Sequence, residues 1–138
     1  MHTLTGYVEH GDARAREFGF PTANIALEGE DSLDGVWVGF VRCPEGYTYL
    51  STVSVGRRVT FYGEVGRLVL EAHLLDFTGD LYGKLLEVEL VHFLRPQLKF
   101  DSAEALTAQI HQDVRDTVAW TAGHTQFASP MVGAVGAK

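Results

Sequence analysis

The sequence predicts an all-β fold, an antiparallel barrel or sandwich, that ends in one α-helix. Strand-like segments follow one another through short, turn-rich connections without intervening helices, a spacing that favours antiparallel over parallel sheets. Near the C-terminus the apolar period changes to four residues, which indicates a helix. The predicted strands are residues 4–8, 36–42, 47–55, 68–77 and 86–94.

The last predicted strand alternates between apolar and charged residues. Its apolar positions are Leu86, Val88, Leu90 and Leu94, and its charged positions are Glu87 and Glu89. Because side chains alternate between the two faces of a strand, one face is expected to lie in the core and the other in solvent.

The predicted helix follows residue 100. Asp101 is placed to cap it, with Glu104 three residues further on. The expected buried stripe recurs every four residues and consists of Leu106, Ile110, Val114 and Val118. We therefore expect one domain over residues 1–122 and a flexible tail over residues 123–138, where small and polar residues show no period.

Composition limits the class of protein. A chain of 138 residues with 46% hydrophobic and 21% charged residues suits one globular domain. The net charge of −7 argues against nucleic-acid binding. Cys43 is the only cysteine, so no intrachain disulfide or cysteine zinc cluster can form. Without a basic leader or a long apolar run, we expect a cytoplasmic monomer that does not bind membranes.

Residues 10–25 contain the most informative pattern. Pro21 restricts its own backbone and that of the preceding residue, which predicts that the chain leaves this loop as a strand. Thr22 and Asn24 then point to the same side, where a hydroxyl and an amide oxygen suit Mg²⁺ that also binds nucleotide phosphates. Upstream, Gly11 permits close backbone approach. A polar surface turn that leads into a strand is the alternative explanation.

Glu71 is the second candidate, because its strand is apolar on both faces. A half-buried carboxylate there can accept a proton or can form a structural hydrogen bond. His73 lies on the same face, and we expect it to orient or enclose a ligand rather than to bind zinc with His10. Asp76, Asp80 and Tyr82 could line a ligand mouth, although turns favour such residues for conformational reasons.

Several segments together resemble the riboflavin kinase family, in particular the kinase module of bacterial bifunctional riboflavin kinase/FAD synthetases. The first is the loop with Pro21-Thr22-Ala23-Asn24. The others are Asp34-Gly35-Val36-Trp37, Ser54-Val55-Gly56, Glu71 to Phe77, Asp80 to Lys84, Leu94-Arg95-Pro96 and Lys99-Phe100. They occur in the family's order between about Gly6 and Asp116, so the series is more specific than any single motif.

The resemblance implies a small closed Greek-key barrel of about six strands with a C-terminal helix. It also implies transfer of the ATP γ-phosphoryl group to riboflavin, which gives FMN and ADP, with Mg²⁺ held by Thr22 and Asn24 and with Glu71 as the base. The implied nucleotide-binding residues are Gly11, Asp12, Arg14, Arg16, Thr22 and Asn24. The implied flavin-binding residues are Arg95, Lys99, Phe100 and Leu106. FAD synthesis is not expected.

Two positions depart from the family pattern and leave an alternative open. Ala15 stands where the family usually has glycine, and Arg57-Arg58-Val59 replaces a segment that usually contains proline. A flavin- or nucleotide-binding module with weakened catalysis would fit both changes. A small-ligand barrel unrelated to flavins is a third interpretation, which the ordered motifs disfavour.

Overall fold

A computed structural model describes residues 2–9, 22–27, 31–59 and 65–124 of the chain. These residues form six strands, a short 3₁₀ turn and one helix, in keeping with the alternating and four-residue patterns of the sequence. The strands are β1 (His2–Glu9), β2 (Thr22–Leu27), β3 (Gly35–Arg42), β4 (Thr48–Val59), β5 (Val65–Leu74) and β6 (Leu85–Arg95). The 3₁₀ turn spans Asp31–Leu33, and the helix α1 spans Ala103–Ala122.

The strands close into an antiparallel barrel in the order β1-β2-β5-β4-β3-β6. Strands β3, β4 and β5 are successive neighbours, and β6 returns to lie beside β3, which is a Greek-key arrangement. Pairing of β6 with β1 completes the barrel. The predicted six-stranded Greek-key barrel with a C-terminal helix is thereby confirmed.

Aliphatic side chains fill the barrel interior. Because side chains alternate along a strand, every second residue points inward. Fully buried examples are Ile25, Val53, Leu70, Leu86 and Leu90. Burial of this apolar surface is the main stabilising contribution to the fold.

A second apolar cluster lies on the outer face of the barrel. It consists of Val38, Phe40 and Leu50, and Trp120 of α1 packs against it. The helix therefore covers one side of the barrel. No helix within the described ranges combines the length and apolar character needed to cross a membrane.

Each predicted strand coincides with an observed strand, with differences at the ends. β5 ends at Leu74 rather than at residue 77. Leu75 and Asp76 form a turn instead, in which Asp76 has a φ of 59°, a left-handed conformation that is incompatible with an extended strand. β2 begins at Thr22, in agreement with the strand predicted after Pro21.

The predicted face of Leu94 is wrong. Leu86, Val88 and Leu90 point into the barrel, but Leu94 packs against the outer cluster. The cause is a shift in the pairing of β6 with β3 between Val38 and Gly39, and a second shift lies between Val36 and Trp37. Such irregularities interrupt the two-residue alternation of a strand.

The helix begins one residue later than predicted. Ser102, not Asp101, is the N-cap, and its hydroxyl accepts a hydrogen bond from the backbone N–H of Ala105 at 3.0 Å. Its backbone is extended, with φ −152° and ψ 159°, as this cap geometry requires.

The predicted apolar stripe of α1 is also wrong in part. Ile110 is buried, but Val118 is 50% exposed and Leu106 and Val114 are only partly buried. The residues that face the barrel are Ile110, Asp113, Thr117 and Thr121. The helix turns this largely polar face inward because the outer surface of the barrel offers hydrogen-bonding partners there.

Candidate functional site

Three strands align polar side chains in one row across the outer face of the barrel. Asn24 of β2 pairs with Glu71 of β5, and Glu71 pairs in turn with Ser54 of β4. Directly opposed residues in an antiparallel sheet place their side chains on the same face, with Cβ atoms about 5 Å apart. A carboxylate therefore lies between an amide and a hydroxyl.

A second polar row runs beside the first and lies under the helix. Thr22 of β2 pairs with His73 of β5, and His73 pairs with Thr52 of β4. The Thr52 and Thr117 hydroxyl oxygens are 2.7 Å apart. Because Thr117 donates its proton to the carbonyl of Asp113 at 2.9 Å, Thr52 is the donor to Thr117.

The proposed cation ligands lie at the start of β2. Thr22 and Asn24 are both only 8% exposed and share the outer face, whereas Ala23 between them points into the core. Hydroxyl and amide oxygens are hard donors that suit Mg²⁺. Since both are neutral, most of the negative charge around a cation here would have to come from a ligand such as a nucleotide phosphate.

Glu71 is half-buried, as predicted from its strand. Its neighbours in the chain, Leu70 and Ala72, are fully buried on the opposite face. The carboxylate thus projects from a rigid, apolar strand into the polar row. This placement suits a group that must hold one orientation while it accepts a proton.

His73 is buried beneath the helix and is neutral at pH 7. Burial lowers the pKa of His73 to about 4 from an ordinary value of 6.5, and the negative charge of Asp113 opposes that shift. A neutral, enclosed imidazole fits the predicted role of a wall or orienting group. His10, with which the sequence disfavours a zinc site, lies outside the described residues.

Arg95 and Asp113 form an ion pair at the edge of the helix. The Arg95 Nε donates to Asp113 Oδ1 at 2.8 Å and Nη2 donates to Oδ2 at 2.7 Å. Gln109 donates to the same carboxylate at 2.8 Å. Nη1 of Arg95 donates to the Pro96 carbonyl at 2.9 Å, so this residue, predicted to contact flavin, fixes the chain after β6 against α1.

The remaining predicted flavin-binding residues follow that ion pair. Lys99 is exposed and Phe100 is partly buried, and both lie between β6 and α1. Leu106 is partly buried on the first part of α1. Lys99 and Phe100 thus follow β6 directly in the chain, and Leu106 lies in the first turn of α1.

Several residues named in the sequence analysis lie outside the described ranges. They are His10, Gly11, Asp12, Arg14, Ala15 and Arg16. The tail beyond residue 124 and the side chains of Arg58 and Val59 are outside as well. Among the residues that are described, no group of three or more histidine, cysteine, aspartate or glutamate side chains could hold a metal ion.

The turn after β5 has a conformational explanation. Asp80 accepts a hydrogen bond from the backbone N–H of Tyr82 at 2.9 Å through Oδ1, a contact typical of aspartate in turns. Asp80 and Tyr82 are both exposed. The conformational explanation given in the sequence analysis therefore accounts for Asp80.

Sequence reasoning missed Asp113, Thr117 and Gln97. The first two lie four residues apart, a spacing that places them on one face of a helix but does not say whether that face is buried. Gln97 carries no such signal, since its role depends on where the segment after β6 meets the sheet.

Comparison with known proteins identifies close relatives. The family model Flavokinase, described as riboflavin kinase, matches residues 1–121. A bifunctional riboflavin kinase/FMN adenylyltransferase from Listeria monocytogenes is 41% identical over 124 residues, which are 88% of this chain and 38% of that protein. An RNA-binding riboflavin kinase from Bacillus subtilis is 32% identical over 114 residues, covering 83% of this chain and 49% of that protein.

A solved structure agrees in fold. Riboflavin kinase from Trypanosoma brucei superposes with a TM-score of 0.60 at 27% identity, and the match covers 93% of this chain and 89% of that one. In contrast, the chain spans less than half the length of the two bacterial relatives above.

Proposed function

This chain belongs to the riboflavin kinase family, as its motifs predicted, and we propose that it transfers the γ-phosphoryl group of ATP to the ribityl 5′-hydroxyl of riboflavin. The products are FMN and ADP. The observation that carries the proposal is the row Asn24–Glu71–Ser54, which sets a half-buried carboxylate beside neutral oxygen donors on one face of the barrel.

Glu71 is the proposed base. In the reaction the ribityl oxygen forms a bond to the γ-phosphorus, the bond from that phosphorus to the ADP oxygen breaks, and the hydroxyl proton passes to the Glu71 carboxylate. Phosphoryl transfer depends mainly on positioning and charge stabilisation. A carboxylate fixed on a buried strand provides the orientation, and the proton transfer adds to it.

Thr22 and Asn24 are the proposed magnesium ligands. When bound, Mg²⁺ supplies positive charge that offsets the charge of the nucleotide phosphates. The Asn24 side chain has an oxygen for the cation and an NH₂ group that can donate towards the neighbouring carboxylate. This dual chemistry explains why an amide, rather than another carboxylate, stands next to Glu71, since a second negative charge would compete for the same proton.

The proposed phosphate cover is the loop that contains Gly11, Asp12, Arg14 and Arg16. Arginine guanidinium groups meet phosphate oxygens with two parallel hydrogen bonds, and glycine permits close backbone approach. Because β2 follows this loop in the chain, its residues and the Thr22–Asn24 pair would act on the same phosphates.

The proposed flavin site lies around Lys99, Phe100 and Leu106. Phe100 and Leu106 offer partly buried apolar surface suited to a flat ring. Arg95 borders the proposed site, because its ion pair with Asp113 holds the chain just before Lys99 and Phe100. We therefore assign it a supporting contact with the flavin.

The wider setting of the protein is part of the proposal. We propose a cytoplasmic monomer that does not bind nucleic acid, since the net charge is −7 and phosphate backbones bind basic surfaces. The matched part of the Listeria monocytogenes relative is 38% of its length. We accordingly propose only the kinase activity, not adenylyl transfer, for these residues.

Incubation with riboflavin, ATP and Mg²⁺ tests the function. Chromatography with flavin fluorescence detection should show FMN, and chelation of the metal with EDTA should abolish its formation. Binding of riboflavin without FMN would overturn the kinase proposal and favour the binding module suggested by Ala15 and by residues 57–59. Absence of both binding and turnover would contradict both.

A further inference from the structure

In the segment after β6, the side chain of Gln97 forms hydrogen bonds with the barrel. The amide nitrogen of Gln97 donates to the hydroxyl oxygen of Ser54 at 2.8 Å and to the carbonyl of Val55 at 2.9 Å. It also lies 3.4 Å from the carbonyl of Gly35. Gln97 therefore joins β3 and β4 at Gly35, Ser54 and Val55.

One glycine leaves room for this contact. A Cβ added to Gly56 would lie 3.2 Å from Gln97 Nε2 and 3.1 Å from Asp34 Oδ1. Glycine at this position therefore lets the Gln97 amide approach the sheet beside Ser54.

The hydrogen bond from Gln97 leaves the Ser54 proton to point away from the Gln97 amide. A hydroxyl has one proton and two acceptor lone pairs, and Gln97 uses an acceptor position. Among the described residues, the Ser54 hydroxyl accepts this hydrogen bond and donates none. Of its cross-strand neighbours, Val36 offers only an apolar side chain, and Glu71 offers a carboxylate.

We propose that Ser54 is a positioning residue that donates its hydroxyl proton to the Glu71 carboxylate when substrate is bound, and that Gln97 orients it for this purpose. The inference rests on the proposed function of Glu71 as the base. Hydrogen bonds in catalytic sites often tighten only in the complex. A donor to the carboxylate stabilises its charged form and restrains its rotation.

The first test compares the kinetics of FMN formation in three variants, Ser54→Ala, Ser54→Thr and Ser51→Ala. We expect Ser54→Ala to lower kcat roughly tenfold, the size expected for loss of one hydrogen bond to a charged group, with little change in KM for ATP. The acidic limb of its pH–rate profile should move to higher pH. Ser54→Thr keeps the hydroxyl on a strand position and should restore both properties.

Ser51→Ala is the matched control, because it removes a hydroxyl from the same strand. Ser51 is fully buried, and its hydroxyl donates to the Tyr49 carbonyl at 3.2 Å. The Ser51→Ala substitution should alter the stability of the protein but not the acidic limb of the pH–rate profile. An acidic limb that moves equally in Ser51→Ala and Ser54→Ala would overturn the inference, since the effect would then come from the fold.

A readout independent of turnover separates this inference from the proposed function. In protein labelled with ¹³C at glutamate side chains and saturated with riboflavin, the Glu71 carboxyl signal is identified by its loss in Glu71→Gln and followed against pH. Its midpoint should rise by about half a unit or more in Ser54→Ala. An unchanged midpoint would overturn the role of Ser54, even if kcat falls.

The two failures are thus distinguishable. If the wild-type protein forms no FMN, the proposed function fails, and the carboxyl titration still decides whether Ser54 acts on Glu71. If the wild type forms FMN while Ser54→Ala matches it in both readouts, the positioning role fails and the kinase proposal stands.

Discussion

Arg95 binds Asp113 through two hydrogen bonds of 2.7 and 2.8 Å, and so joins the end of β6 to the middle of α1. The Asp113 side chain is 6% exposed and that of Arg95 is 18% exposed. A buried pair of this kind need not stabilise a protein more than an apolar pair, but loss of one partner leaves an uncompensated charge. The pair thereby makes the position of the segment after β6 depend on the helix.

We expect Asp113→Ala to lower the free energy of unfolding by about 3 kcal/mol, as measured by urea denaturation. Asp116→Ala is the matched control, because the Asp116 carboxylate accepts an exposed hydrogen bond from Gln112 at 2.8 Å and should change stability by less than about 0.5 kcal/mol. Equal effects of the two substitutions would contradict the structural importance of the Arg95–Asp113 pair.

The stability of the fold should depend on pH through His73. Burial lowers the pKa of His73 to about 4 in the folded protein, against an ordinary value of 6.5, so the unfolded chain binds the extra proton first. The contribution of His73 to the free energy of unfolding is therefore fully present above pH 6.5 and is lost as the pH falls towards 4. The loss is at most about 3 kcal/mol.

Urea denaturation between pH 7 and pH 4 measures that loss. His73→Gln cannot take up a proton, so its stability should fall less steeply than that of the wild type over this range. Parallel pH profiles for the two proteins would show that His73 titrates normally and is not enclosed by the helix.

We expect Thr22→Ala and Asn24→Ala each to weaken binding of the Mg²⁺–ATP complex and to lower turnover while the fold is retained. Both side chains lie on the outer face, and neither belongs to the apolar core of the barrel. Calorimetric titration of the nucleotide with and without Mg²⁺ measures the effect. If the variants lose affinity equally in the absence of the metal, these residues do not act as its ligands.

The sequence predicted those parts of the site that depend on local periodicity. Thr22 and Asn24 are two residues apart in a strand, so their shared face follows from the alternation of side chains. The same rule placed Glu71 and His73 together. The family motifs then assigned roles to these residues that composition and spacing left open.

Other parts of the site depend on long-range packing and were not predictable from local pattern. The Ser54–Glu71 pairing is fixed by the register between β4 and β5, and the Gln97 contact by the path of the chain after β6. The buried face of α1 was misassigned because Asp113 and Thr117 look like solvent-facing residues until their partners on the barrel are known. Leu94 lies on the opposite face because of an irregularity in the pairing of β6 with β3, which the hydrophobic pattern does not predict.

Turnover by Glu71→Gln tests the central claim most directly. Glutamine keeps the size and hydrogen-bonding capacity of the side chain but cannot accept the proton, so we expect kcat for FMN formation to fall by about 10² to 10⁴. Riboflavin affinity, followed by flavin fluorescence, should change much less. A variant that retains nearly the full wild-type kcat would contradict the account, because Glu71 would then be a structural residue of the barrel and not the base.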